Sequence, residues 1–154
     1  MARGIEIFID ADACPVKDEV YRVAARYGLK THVVANAFLF VPAHPLIDRV
    51  VVEQGPDVAD DWIAGRAEPG DVVITNDIPL AERALRAGAS AIAPNGRPFT
   101  VDSIGAAMAG RAIMEQIRST GEIGGGPRPF DRRDRSRFLQ ALDEAIGREM
   151  RRRR

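Results

Sequence analysis

The sequence predicts a three-layer α/β/α sandwich with a mainly parallel sheet, and three observations support this fold class. Short apolar runs, typical of strands buried on both faces, alternate with helical segments over residues 1–95. The helical segments between successive strands would serve as the right-handed crossovers that parallel strands need. Carboxylates follow two of the apolar runs within a few residues, at the strand ends where open parallel sheets bind ligands.

The first three strands and the first helix are predicted from local patterns. Residues 5–9 are apolar at nearly every position, as expected of a strand buried on both faces. Pro15 then opens a helix, which Gly28 ends. Residues 32–35 and 49–52 are the next predicted strands, and two prolines keep the segment between them irregular.

The rest of the predicted core repeats the alternation of helix and strand. Asp57 is predicted to cap a short helix of residues 58–63. A strand at 72–75, a helix at 78–87 and a strand at 91–93 follow. These elements complete a five-stranded sheet with helices on both faces.

The pattern changes after Asn95-Gly96, where two further helices are predicted, at 104–117 and 134–150. The glycines at 124–126 form a break between them. We therefore expect a single domain, 1–154, made of an α/β core at 1–95 and a helical C-terminal extension at 96–154.

The composition favours a cytoplasmic protein. The chain has 154 residues and no net formal charge, with acidic residues in excess over its first 121 positions and basic residues in excess after them. Cys14 is the only cysteine, so no internal disulfide forms and a zinc site is not expected. No run is apolar and long enough to predict a signal peptide or a membrane span.

Carboxylates are expected to meet at one end of the predicted sheet. Asp10 and Asp12 follow the first strand at a spacing of two, which points both side chains the same way, and Asp77 follows the 72–75 strand. Asp60, on the short helix, is a candidate fourth ligand. Such hard oxygen ligands suit Mg²⁺ or Mn²⁺ better than zinc.

Asp77, Asp60 and the nearby Asp57 also have structural interpretations that the sequence leaves open. Asp77 and Asp57 each precede a predicted helix and are candidates for simple N-caps. Asp60 lies in a first turn, where a carboxylate favours the helix dipole. Asp10 and Asp12 have no helix to cap before Pro15, which favours a metal-binding or catalytic role for this pair.

Several motifs resemble the YaiI/YqxD family of uncharacterised bacterial proteins, over about residues 5–140. They are residues 10–15 (DADACP), 55–60 (GPDVAD), 70–81 (GDVVITNDIPLA) and 125–127 (GGP) with 133–135 (RDR). The family is in turn similar to PIN-like nuclease domains, whose PIN-like sheet presents acidic residues at strand ends to bind divalent metal. The resemblance implies metal positions at Asp10, Asp60 and Asp77, and Asp12 is extra to the usual pattern.

By this resemblance the chain is predicted to be a Mg²⁺- or Mn²⁺-dependent nuclease that hydrolyses phosphodiester bonds, with RNA as the expected partner. Metal activates water for attack on phosphorus in this mechanism, and Asp12 binds metal or orients the water. Thr75 and Asp57 are expected to hold the metal ligands in position without binding the metal themselves. The predicted substrate-binding residues are Lys17, Asn36, Arg133 and Arg135.

Three features among or near these residues have open interpretations. Residues 36–40 place Phe38 and Phe40 on one face of an extended segment, where they either stack on bases or, as we expect, bury against the sheet. The arginines around 128–137 either clamp a phosphate backbone or are a solvated helix surface. Lys17 is likewise either a phosphate ligand or a surface lysine.

Two other function classes compete with the nuclease hypothesis. Asp10 and Asp12 also resemble the nucleophile and acid of aspartyl-phosphate phosphatases. The later acidic motif of those enzymes has a superficial match in Gly70-Asp71, but Asp71 precedes its strand and should lie at the opposite end of the sheet. The other alternative is a non-catalytic module that binds nucleic acid or protein and keeps a metal only for structure.

Overall fold

A five-stranded parallel sheet forms the middle layer of the computed structural model, which describes residues 3–12, 14–119 and 129–154 (backbone only for 111–119). The strands are β1 (Glu6–Asp10), β2 (Lys30–Ala35), β3 (Ile47–Val51), β4 (Val72–Ile74) and β5 (Ser90–Ile92). The helices are α1 (Lys17–Tyr27), α2 (Val58–Ala64), α3 (Ile78–Arg86), α4 (Val101–Ser119) and α5 (Arg132–Arg152). All predicted elements are therefore present, with ends shifted by a few residues.

Helices cover both faces of the sheet, which confirms the three-layer α/β/α fold. Successive side chains of β1 alternate between two cores: Ile7 and Ile9 pack with α1 and α5, whereas Phe8 packs with α2, α3 and α4. All three side chains are at most 1% exposed, which explains why β1 is apolar without alternation.

The strand order β3-β2-β1-β4-β5 places a topological switch point between β1 and β4. The chain moves outward from β1 through β2 to β3 and then returns to the other side of β1. Ile9 lies beside Val33 of β2 and Ile74 of β4, so these strands end at the same level. Open α/β sheets bind ligands in the crevice beyond such a switch point.

The C-terminal helices begin where side chains satisfy their first backbone N–H groups. Thr100 and Ser103 exchange hydrogen bonds at the start of α4, so this helix begins three residues before the predicted position. Asp131 and Asp134 form a reciprocal capping box at the start of α5.

The last helix contributes to the core and is not only a peripheral extension. Phe138, Leu142 and Ile146 of α5 are fully buried in the cluster that α1 and β1 share. The predicted glycine break at 124–126 lies outside the described residues. Among the helices of the described ranges, none combines the length and the hydropathy that a membrane crossing requires.

Candidate active site at the carboxyl end of the sheet

Thr75 connects the ends of β1 and β4 at the carboxyl end of the sheet, the side on which the strands finish. β1 finishes at Asp10 and β4 at Ile74, so the register places Asp10 beside Thr75. The Thr75 hydroxyl donates to Asp10 Oδ2 at 2.8 Å and accepts the backbone N–H of Asp77 at 2.9 Å. Because Thr75 is only 1% exposed, it holds both aspartates in a fixed arrangement.

Asp77 has two roles in the structure. Its Oδ1 accepts the backbone N–H of Leu80 at 2.9 Å, so the predicted cap of α3 is present. After burial, its charge is also the largest cause of the raised pKa of Asp60, so the two carboxyls lie close together. The capping and site interpretations of Asp77 are therefore compatible.

Asp60 extends from the first turn of α2 toward the two strand ends. Burial, the charges of Asp77 and Asp10, the hydrogen bond to Asp77 and the charge of Asp57 together raise its pKa to about 7. Burial is also the main reason that the pKa of Asp10 is raised, although its hydrogen bond from Thr75 opposes the shift. The two shifts show that carboxylates from three separate elements share one partly dehydrated space.

Asp10, Asp60 and Asp77 form a carboxylate cluster, and its chemistry fits a hard divalent cation. The charges of Asp77 and Asp10 favour a proton on Asp60, and a bound cation could take the place of that proton. Carboxylate oxygens are the ligands that Mg²⁺ and Mn²⁺ prefer. In the part of the chain that the structure describes, no three His, Cys, Asp or Glu side chains are arranged to hold a metal as they stand.

Asp12 lies at the same end of the sheet, on the side of β2. Its Oδ2 accepts the backbone N–H of Asn36 at 3.2 Å, and its charge contributes to the raised pKa of Asp10. Asp12 and Asn36 are joined by this bond at the exposed surface of the protein. The segment that follows β2 is therefore tied directly to the carboxylate cluster.

The structure corrects the prediction for Asp57. This residue occupies the N-cap position of α2, but its side chain makes no capping hydrogen bond. Its φ of 66° is left-handed, whereas a capping side chain needs an extended backbone at that position. Asp57 instead lies exposed near Asp60, and its charge raises the pKa of Asp60 less than the charges of Asp77 and Asp10 do.

Two of the three predicted cationic contacts are engaged with the turn that follows β1. Lys17 Nζ donates to the Cys14 carbonyl at 2.7 Å. Arg135 Nη1 donates to the Pro15 carbonyl at 3.0 Å and to Glu19 Oε1 at 2.9 Å. Arg133, two residues before Arg135, is exposed in the first turn of α5.

Phe38 and Phe40 are exposed to 69% and 87%, so the prediction that they bury against the sheet is wrong. The intervening Leu39 and the following Val41 pack against the core instead. Arg49 of β3 was not among the predicted binding residues, yet its guanidinium lies 4.2 Å from the centre of the Phe38 ring. Arg49 could have been considered from its place on β3, because β3 pairs with β2, the strand that the Phe38 segment follows.

The carboxylate cluster does not line the large cavity found among the described residues. That cavity, of about 1030 Å³, lies between β5 and α5, where Arg97, Arg137 and Arg148 contribute to its lining. Its lining includes none of the four predicted metal-binding aspartates. Size alone therefore does not locate this candidate site.

Comparison with known proteins identifies the family. The uncharacterized BCR, YaiI/YqxD family matches residues 8–148 of the chain. A UPF0178 protein of Caulobacter sp. (strain K31) is 65% identical over 140 residues, which cover 91% of this chain and 93% of that protein. A UPF0178 protein of Rhodopseudomonas palustris (strain TIE-1) is 63% identical over 147 residues, covering 96% and 93% respectively. No solved structure is significantly similar. The chain therefore belongs to the YaiI/YqxD family, as its motifs indicate.

Proposed function

We propose that this protein is a Mg²⁺- or Mn²⁺-dependent nuclease that hydrolyses phosphodiester bonds in RNA in the cytoplasm. The observation that carries the proposal is the convergence of Asp10, Asp60 and Asp77 at the switch point between β1 and β4. No described lysine, arginine or histidine forms an ion pair with these three carboxylates. A half-buried acidic site of this kind suits a phosphodiester polymer with a bound cation at the point of cleavage.

The four aspartates have distinct roles in this proposal. Asp10, Asp60 and Asp77 would hold one or two ions, and Asp60 would release its proton on binding. A bound ion would activate water and neutralise the charge that develops on the phosphate. Asp12 has an oxygen, Oδ1, that does not contact Asn36 and is available to bind the ion or orient water. Thr75 keeps Asp10 and Asp77 in place through its single hydroxyl.

A direct test compares the purified protein with Asp10→Asn in the presence of Mn²⁺, using labelled RNA and single-stranded DNA. We expect the parent to cleave and the variant to lose cleavage by roughly a hundredfold or more, since a metal ligand is removed. Asp61→Asn is the matched control, because Asp61 is the neighbour of Asp60 on α2 and pairs with Arg83 on the surface. Equal activity of Asp10→Asn and the parent would end the proposal.

The alternatives predict other outcomes in the same assays. A phosphatase would turn over p-nitrophenyl phosphate and leave a trapped aspartyl-phosphate on Asp10. Asp71 cannot take part in that reaction, because it lies at the opposite end of the sheet, where Arg3 binds it. A binding module, which the exposed phenylalanines favour, would show Mn²⁺-dependent affinity for nucleic acid without any product.

A further inference from the structure

An aromatic segment, residues 36–41, follows β2 and begins at the candidate active site. The backbone N–H of Asn36 donates to Asp12 Oδ2, and Phe38 is only two residues further along the chain. The burial of side chains alternates through the segment, with Phe38 and Phe40 exposed and Leu39 and Val41 packed against the core. This alternation is typical of an extended chain that is anchored on one side.

Two solvent-exposed phenylalanines that are two residues apart need a physical reason. Five large apolar side chains are exposed among the described residues, and three of them, Phe38, Phe40 and Val51, lie in the aromatic segment or at the adjoining end of β3. Exposed apolar groups gathered in one place mark interaction surfaces. Because Leu39 and Val41 anchor the segment, the rings are presented outward as part of an ordered backbone.

The charge beside the rings indicates the chemistry of the partner. The Arg49 guanidinium lies 4.2 Å from the Phe38 ring centre and is exposed. Among described residues, no acidic side chain forms an ion pair with Arg49. A ring with a cation against it offers a stacking face for a base and a charge for the adjoining phosphate.

The spacing of the rings distinguishes a single strand from a duplex. Residues two apart in an extended chain are about 7 Å apart, roughly twice the ~3.4 Å rise of stacked bases in a duplex. Bases that are already stacked on one another cannot each meet a ring at that spacing. Unstacked bases of a single strand can.

We propose that Phe38, Phe40 and Arg49 form a stacking site for a single-stranded nucleic acid and lead the strand to the carboxylate cluster. This inference rests on the proposed function for the identity of the reaction, but the binding it describes does not require cleavage. The aromatic segment selects the single-stranded form of the substrate, and Asp12 connects that segment to the site of hydrolysis.

The test measures binding by fluorescence anisotropy in an Asp10→Asn background, with a labelled single-stranded RNA of about 12 nucleotides and the corresponding RNA duplex as probes. We expect tighter binding of the single strand, and a loss of about tenfold or more for Phe38→Ala and for Phe40→Ala. Phe40→Trp should retain affinity and Phe40→Leu should lose it. Met108→Ala is the control, because Met108 is an exposed apolar residue of α4, on the other face of the sheet.

The outcomes separate this inference from the proposed function. Full affinity in the Phe38→Ala/Phe40→Ala variant, equal affinity for the duplex, or no binding by the parent would overturn the stacking site. In the first case the rings serve another partner, such as a protein surface. Ring-dependent binding by a parent that never cleaves with Mn²⁺ would support the stacking site and refute the nuclease. Cleavage by the parent, with a KM that Phe38→Ala and Phe40→Ala leave unchanged, would support the nuclease and refute the stacking site.

Discussion

The two ends of the sheet both gather carboxylates, but only one of them neutralises the charge. At the amino end, where β1 and β4 begin, Asp71 is 0% exposed and its Oδ2 lies 2.6 Å from Arg3 Nη2. At the carboxyl end, the charge of Asp77 raises the pKa of both Asp10 and Asp60, and none of these three carboxylates makes an ion pair with a described cation.

The hydrogen bonds of Asp71 show what a structural carboxylate looks like in this fold. Its two oxygens accept four donors: two from Arg3 and the backbone N–H groups of Glu6 and Glu68. The interaction raises the pKa of the Arg3 guanidinium further above its already high value. A buried charge that is paired in this way supports the fold, whereas an uncompensated cluster costs stability and indicates a functional site.

The largest expected effect comes from removing the charge of Asp71, which Arg3 neutralises at the amino end of the sheet. Asp71→Asn replaces one acceptor oxygen with an NH₂ group that faces N–H donors, and it leaves Arg3 without its buried partner. We expect a loss of about 3 kcal/mol in the free energy of unfolding, measured by urea denaturation. The exposed Asp61→Asn control should change it by less than about 0.5 kcal/mol. A loss for Asp71→Asn no larger than that of the control would contradict the structural role of Asp71.

An effect of intermediate size is expected at Thr75, because its hydroxyl positions Asp10 and Asp77 at the carboxyl end of the sheet. Thr75→Val removes the hydroxyl that bonds Asp10 and Asp77 and keeps the shape of the side chain, so we expect a cost of about 1–2 kcal/mol in stability. If the aspartates bind metal, Mn²⁺ affinity measured by calorimetry should fall by about tenfold or more. Thr75→Ser keeps the hydroxyl and should restore the affinity. Equal Mn²⁺ affinity in the Val and Ser variants would show that the hydroxyl does not position metal ligands.

The fold was predictable because its strands are buried on both faces. Continuous apolar runs such as residues 5–9 and 72–75 leave a parallel sheet covered by helices as the consistent arrangement. Once the sheet is parallel, residues that follow two strands must emerge at the same end. The closeness of Asp10 and Asp77 and the opposite placement of Asp71 follow from this reasoning alone, and the structure shows both.

The features that sequence could not predict depend on contacts between distant residues or on local backbone conformation. Arg3 and Asp71 are 68 positions apart, and nothing local links them. Asp57 stands where an N-cap residue is expected, but its backbone is left-handed and its side chain makes no capping hydrogen bond. Leu39 and Val41 take the core positions beside Phe38 and Phe40, and a segment with four apolar side chains does not reveal which pair faces inward.

The smallest expected effect concerns Asp60 and the pH dependence of stability. Because the pKa of Asp60 is about 7 in the folded protein and 3.8 for an unperturbed aspartate, the folded protein binds more protons than the unfolded chain between these values. The metal-free parent should therefore lose stability as pH rises from about 5 to about 8. Asp60→Asn removes this contribution and should be the more stable protein at the higher pH, by less than about 1 kcal/mol because the side chain is partly solvated.

Urea denaturation of both proteins in EDTA, at about pH 5 and about pH 8, measures this difference. The two ends of the sheet then give opposite signs: neutralising Asp71 destabilises the protein, whereas neutralising Asp60 stabilises it at high pH. Saturating Mn²⁺ should reverse the order at the higher pH, since a cation that binds only the folded parent adds to its stability. A stability difference between parent and Asp60→Asn that is the same at both pH values would show that the Asp60 carboxyl does not share the repulsion of Asp10 and Asp77.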